Sequence, residues 1–365
     1  MMNNVIANRR LGNQRIIGSK LVNPEQVVKE LVAMQAQDYM QAVWAIGLRT
    51  LSTTLADIEY AIAERKIVLT WALRGTIHFV PPADVKWLVQ LSASRVLGLG
   101  KKRLVQLEVD DRTLARCREI IYGALKGHQQ VTRTELLQLL EEDGITTTDQ
   151  RGYAILWSLT YEGLICFGPK NGKQQTFVLL DEWVPKTREL SLEESIAELA
   201  LRYFTAHGPA TIQDFAWWAG ITLTDARIGH EEVKRKLHSE YIDGSQYWMS
   251  QDATVQISED SGVQLLPGFD EYILGYKDRG AVLAPEYAPL IVPGNNGVFQ
   301  PTLVAGGEVI GTWKRTIKKK GVEVAVIPFE HLGEREETVI MAAERYAEFM
   351  GVPLSKLVFD ERDQI

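Results

Sequence analysis

Leu164-Ile165-Cys166-Phe167-Gly168-Pro169-Lys170-Asn171-Gly172-Lys173-Gln174-Gln175-Thr176-Phe177-Val178-Leu179-Leu180 decides the fold. Two β-branched and aromatic runs flank a Gly/Pro/Asn-rich centre, which reads as strand, turn, strand, with Asn171-Gly172 as the hairpin signal. Three helices precede it. Asp111 to Lys126 is one; a second begins at Thr132, with Glu135 three residues on as in a capping box; Asp149 to Glu162 is the third. Helices followed by a hairpin make the outline of a winged helix-turn-helix unit, with the hairpin as its wing.

The outline occurs on both sides. Upstream, Asn23-Pro24-Glu25-Gln26 starts a helix, with Asn as cap and Pro in the first turn. Thr54, with Asp57 three on, starts another. Ile67 to Val80, interrupted by Gly75, reads as paired strands ended by Pro81-Pro82. Downstream, Ser191 to Phe204 and a helix capped by Thr211 and closed by Gly220 precede Leu223 to Leu237. A short hairpin then turns at Asp243-Gly244. From Val263 short strands alternate with turns, and Arg335 to Met350 reads as a closing helix. The expected fold is α+β, with tandem winged helix-turn-helix units followed by a small C-terminal β-rich, barrel-like domain. The expected boundaries are 1–105, 106–188, 189–261 and 262–365.

Composition narrows the function classes. A chain of 365 residues with 45% apolar and 24% charged residues is an ordinary folded protein. No apolar run reaches the ~20 residues of a membrane span, and the N-terminal residues lack a secretory core. Cys117 and Cys166 are the only cysteines, and the six histidines are scattered, so neither a disulfide framework nor a zinc site is expected. These features point to the cytoplasm. No phosphate-cradling glycine loop is present, and no nucleotide or other cofactor is expected.

The net charge of −7 argues against a uniformly basic nucleic-acid binder. Charge is nonetheless segregated. Lys86 to Arg133 holds ten Lys/Arg against four Asp/Glu, and Thr312 to Gly321 holds Lys314, Arg315, Lys318, Lys319 and Lys320 with no acid. Local phosphate-binding surfaces are compatible with that pattern, as are plain solvated faces.

One triplet carries a chemical suggestion. Gln35-Ala36-Gln37 places two amides around a small residue, just past a helix. Glutamine takes no proton at neutral pH, so a reaction it serves needs little general-base help. Residues two apart diverge by ~200° on a helix but share a face on an extended segment. Convergence of the two amides therefore demands that the chain be non-helical there. The alternative is that Gln35 braces the helix end and Gln37 is solvated.

Several stretches in order resemble one family. They are Met34-Gln-Ala-Gln-Asp38, Thr70-Trp-Ala-Leu-Arg-Gly-Thr-Ile-His-Phe-Val-Pro81, His207-Gly-Pro-Ala-Thr211 with Asp214-Phe-Ala-Trp-Trp-Ala-Gly220, Leu265 to Arg279, Asn296 to Pro301, and Gly311-Thr-Trp-Lys-Arg315. Together they are similar to the winged-helix DNA-binding family of the AlkZ/YcaQ-type DNA glycosylases. The resemblance implies hydrolysis of the N-glycosidic bond of N7-alkylated purines, interstrand crosslinks included. It implies a Gln-x-Gln pair as catalytic residues, here Gln35 and Gln37, and double-stranded DNA as partner; three winged units in one chain point to a monomer, at the nucleoid when bound to DNA. Some members of such a family bind DNA without known chemistry, so a non-enzymatic DNA-binding protein or transcription regulator is the alternative.

That chemistry suits amides. An N7-alkylguanine is a cation that leaves as a neutral base, through an oxocarbenium-like transition state. It asks for a positioned water more than for a deprotonated one. Two Gln carbonyl oxygens can hold that water, and Asp38 can add negative charge. Arg74, Thr76 and His78 alternate, so they are expected on one strand face, where Arg74 and His78 are candidate DNA contacts or local braces. Lys170 and Lys173 at the hairpin, and the pair Lys314-Arg315, are further candidate DNA contacts. Trp217 and Trp218 read as core. Asp270, Glu271 and Tyr272 read either as cleft residues or as a brace between domains.

Overall fold

The computed structural model describes residues 4–252 and 262–360. The chain divides into two compact units. One comprises Met1–Ile58, Ala197–Trp218 and Thr222–Ile365; the other comprises Glu59–Ile196 and Ala219–Ile221. Its strands are β1 (Met34–Gln35), β2 (Val68–Trp71), β3 (Ile77–Val80), β4 (Val131–Thr132), β5 (Ile165–Phe167), β6 (Thr176–Leu179), β7 (Leu237–Ile242), β8 (Ser245–Ser250), β9 (Val263–Leu266), β10 (Thr302–Ala305), β11 (Glu308–Lys318), β12 (Gly321–Pro328) and β13 (Leu354–Phe359).

The unit centred on residues 59–196 sets helices Val85–Gln106, Asp111–Leu125, Arg133–Glu142 and Arg151–Tyr161 around a sheet running β3-β2-β5-β6-β4. Thr132 and Glu135 form the reciprocal capping box at the start of the Arg133 helix. The two hairpins share one sheet, because Leu69 of β2 pairs with Phe167 of β5. Apolar side chains fill its core: Trp71, Phe167 and Phe177 lie together, with Trp71–Phe167 centroids at 4.5 Å and Phe167–Phe177 at 4.9 Å. The hairpin tip is shifted by one residue from the expected Asn171-Gly172. Asn171 and Gln174 exchange backbone bonds of 3.0 Å, so Gly172-Lys173 is the central pair. Gly172 has φ +61°, the left-handed value such a tight hairpin needs at its first central residue, and glycine adopts it at no steric cost.

In the other unit, helices Asn4–Asn13, Pro24–Leu31 and Tyr39–Gly47 belong with the C-terminal sheet. That sheet runs β13-β12-β11-β10-β9. Among the described residues it is open, which corrects the barrel-like expectation. The reason lies in β13, which joins β12 in parallel and so needs a long crossover. The crossover carries helix Glu336–Phe349, which packs against β9 and β13 and covers a face that closure would otherwise have to bury. Trp44 and Trp313 both meet Tyr346 of that helix edge-on at 5.1 Å.

Two further expectations shift. The helix expected over Leu223 to Leu237 ends at Val233; Lys234–Lys236 is a 3-10 turn, and Leu237 opens β7 by pairing with Ser250. Cross-strand pairing there outweighs helical propensity. Asn23 holds the cap position of helix Pro24–Leu31, but its side chain makes no capping bond. No helix of the described residues is long and apolar enough to cross a membrane.

Candidate active site

The triplet Gln35-Ala36-Gln37 lies in a short irregular link between two helices. Helix Pro24–Leu31 stops at Val32, whose φ of +69° and ψ of −54° are foreign to a β-branched residue. The Ala33 amide donates to the Leu31 carbonyl at 2.8 Å, so Val32 is the centre of a γ-turn of the rare, strained kind. The chain then runs extended through Met34–Gln35. Gln37 sits on a bend beyond the strand, and Asp38 follows. Asp38 caps helix Tyr39–Gly47, accepting from the amides of Met40 and Gln41 at 3.1 and 3.2 Å. The non-helical backbone that amide convergence demands is therefore present. The two glutamines differ in surroundings: Gln35 is buried and Gln37 is exposed.

A buried polar frame stands behind Gln35. Its backbone amide donates to Glu271 Oε1 at 3.3 Å. Glu271 Oε2 accepts from the Trp218 indole N–H at 2.7 Å and lies 3.2 Å from His207 Nε2. The next residue back, Asp270, grips Arg49 with both oxygens at 2.8 Å, and both side chains are wholly buried. Arg49 spends its remaining donors on the Gln14 and Ala45 carbonyls and on Gln14 Oε1. The loop ahead is tied as well: the Gly268 amide donates to Gln41 Oε1 at 3.1 Å, and Trp44 Nε1 donates to the Leu265 carbonyl at 2.7 Å. Asp270 and Glu271 are thus internal to one unit, directly behind the glutamine segment. A clue existed in the sequence: two acids enclosed by Leu265-Leu266 and Tyr272-Ile273-Leu274 can enter a core only with donors waiting for them.

Arg315 joins the same neighbourhood through Asp38, Nη2 to Oδ1 at 3.9 Å. Its Nη1 is buried and has no hydrogen-bond partner among the described residues. Lys314 is exposed, and as its neighbour on β11 it faces the opposite side of the strand. The Lys314-Arg315 pair therefore does not act as one patch.

The remaining candidates belong to the other unit. Lys170 and Lys173 are both exposed at the β5–β6 hairpin tip. Arg74 is not on a strand; it sits in the 3-10 turn Leu73–Gly75 at φ +58°, so the expected alternation of Arg74, Thr76 and His78 fails at its first member. The turn between β2 and β3 takes two successive left-handed residues, Arg74 and Gly75, and β3 begins only at Ile77. His78 is buried on β3, with Nδ1 2.9 Å from the Thr76 carbonyl oxygen.

Lys20 is a strongly displaced ionisable group. Burial, then the nearby Arg345 and Arg49 charges, lower its pKa from 10.5 to about 6. Its Nζ lies 2.7 Å from the Leu48 carbonyl, which also accepts from Arg345 at 2.8 Å. Those contacts place it at the C-terminal end of helix Tyr39–Gly47, as a structural tie.

The family of DNA glycosylase AlkZ-like proteins matches residues 28–349. The chain belongs to that family of DNA-repair glycosylases. It is 26% identical over 336 residues to the interstrand DNA cross-link repair glycosylase of Streptomyces sahachiroi, which spans 88% of each chain. Its structure matches the solved Streptomyces sahachiroi DNA glycosylase AlkZ with a TM-score of 0.82 at 24% identity, over 99% of this chain and 100% of that one. That likeness establishes the mixed α+β fold.

Proposed function

We propose that the protein is a DNA glycosylase that hydrolyses the N-glycosidic bond of N7-alkylated purines in double-stranded DNA, interstrand crosslinks included. Gln35 and Gln37 hold the attacking water through their carbonyl oxygens. The observation that carries the reading is the placement of this Gln-x-Gln on a non-helical link whose first amide is fixed from behind by a buried carboxylate. A cationic base leaves as a neutral molecule, so the protein need only orient water and offer negative dipole ends to the developing oxocarbenium ion. Amides do both without a proton transfer. The relative named for interstrand cross-link repair supports the choice of substrate.

The architecture in this reading keeps three winged helix-turn-helix segments, 1–105, 106–188 and 189–261, and a β-rich segment, 262–365. The protein acts as a monomer at the nucleoid. Phosphate contacts fall to Arg74, Lys170, Lys173, Lys314 and Arg315, while His78, being buried, shapes its strand. Incubation with duplex DNA containing N7-methylguanine tests the chemistry. Wild-type protein releases the base, and Gln35→Ala and Gln37→Ala each slow single-turnover release by roughly 10²-fold. Undiminished release in both variants would sink the water-holding role. Duplex binding with no release by the wild type would favour a non-enzymatic DNA-binding protein.

A further inference from the structure

We propose that Glu271 is a positioning residue for this reaction: its buried carboxylate fixes the main chain of Gln35, and through it the side-chain amide. The inference rests on the water-holding reading above. Glu271 is 1% exposed. Its Oε1 takes the Gln35 amide proton at 3.3 Å, while Oε2 is held by Trp218 Nε1 at 2.7 Å and by His207 Nε2 at 3.2 Å. The carboxylate is fixed from its own backbone too. Asp270 caps the one-turn helix Glu271–Leu274, accepting from the Tyr272 amide at 2.9 Å, and is itself locked to Arg49. The backbone of that turn is closely packed: a Cβ added at Gly275 would come within 2.4 Å of the Glu271 main-chain carbonyl oxygen and 2.8 Å of His207 Cδ2.

After the strained turn at Val32 the chain has left its helix, and the Gln35 amide turns to the Glu271 carboxylate instead of a carbonyl one turn back. A carboxylate suits the task because both of its oxygens only accept. An amide in its place presents one acceptor and one donor end. With two N–H groups directed at the Oε2 position, a Glu271→Gln variant turns its carbonyl toward Trp218 and His207. Its NH2 group then faces the Gln35 N–H, and donor against donor pushes the strand away. A displacement near 1 Å at a water-positioning group costs on the order of 10²-fold in rate.

A double-mutant cycle tests this. Single-turnover release, duplex affinity and thermal unfolding are measured for wild type, Glu271→Gln, Gln35→Ala and the double variant. Glu271→Gln is expected to slow release 10- to 100-fold with duplex affinity within about threefold, and the double variant to be no slower than Gln35→Ala, because one residue acts through the other. Hydrogen exchange at the Gln35 amide is expected to accelerate at least tenfold in Glu271→Gln, a readout that general loosening of the fold would not confine to that amide. Multiplying rate losses, or release at the wild-type rate from Glu271→Gln, would overturn the inference while leaving the glutamine chemistry standing. Failure of the wild type to release base overturns both. If Glu271→Gln does not fold, Glu271→Asp, whose carboxylate is withdrawn by one methylene, is carried through the same cycle with the same expectations.

Discussion

Removal of the Asp270 carboxylate isolates a charge. In Asp270→Ala, the Arg49 guanidinium keeps its bonds to Gln14 and Ala45 but loses both bonds to Asp270, in a place where neither side chain reaches solvent. Leaving one partner of a buried pair uncompensated costs about 3–5 kcal/mol. The lost cap on the Tyr272 amide adds about 1 kcal/mol. For a unit of this size, a loss of about 5 kcal/mol corresponds to a fall in unfolding midpoint of roughly 10–20 °C. Differential scanning calorimetry on wild type and variant measures it. The decisive comparison is Arg49→Met/Asp270→Ala, in which the buried charge is gone. It is expected to recover more than half of the loss, with the remainder reflecting the cap and the Gln14 oxygens left without donors. A single variant within about 2 °C of wild type, or a double variant no better than the single, would refute the view that an unpaired charge is the cost.

Other outcomes follow from the same geometry. Because folded Lys20 releases its proton near pH 6 and the unfolded residue near 10.5, the unfolded chain binds more protons between those values, so the Lys20 contribution to stability rises with pH from about 6 to 10.5; the slope of midpoint against pH is expected to flatten in Lys20→Gln. Arg315→Ala is expected to weaken duplex binding on every sequence alike and to lower the slope of log K against log salt by about one unit, measured by fluorescence anisotropy; an unchanged slope would remove Arg315 from the phosphate contacts. Thr132→Ala breaks the reciprocal cap with Glu135 and is expected to cost about 1 kcal/mol in urea unfolding.

The local grammar of the chain was readable. Thr54 with Asp57 and Thr132 with Glu135 form the reciprocal side-chain bonds that their three-residue spacing suggests, and Thr211, read as a cap, does the same with Asp214. The condition that amide convergence sets, a non-helical chain at Gln35-Ala36-Gln37, is met by the extended step Met34–Gln35 and the bend at Gln37. What escaped depends on contacts that spacing does not encode. The turn at Arg74 follows from a left-handed pair that only one glycine announces. The closing helix over Arg335 to Met350 was legible, but the parallel pairing of β13 with β12, which leaves the β9–β13 sheet open, is not encoded in strand spacing. Glu271 read equally as a cleft residue or as a brace between domains, because its acceptor role is defined by Gln35, Trp218 and His207, each more than fifty positions away.

The discontinuous unit has a consequence in time. Its first segment, Met1–Ile58, contains the Gln35 amide, and the acceptor for that amide lies 236 residues further along the chain. At a ribosomal pace of about 5–20 residues per second, Glu271 is polymerised roughly 10–50 s after Gln35. Until the last few residues of that interval the N-terminal helices have none of the C-terminal sheet to pack on, and non-local closure of this length is slow. The other unit, nearly continuous from Glu59 to Ile196, can fold during the wait. The glutamine segment is thus among the first parts of the protein to be synthesised, while the acceptor for the Gln35 amide arrives late. A chain truncated before residue 271 carries Gln35 without the carboxylate that accepts its amide proton.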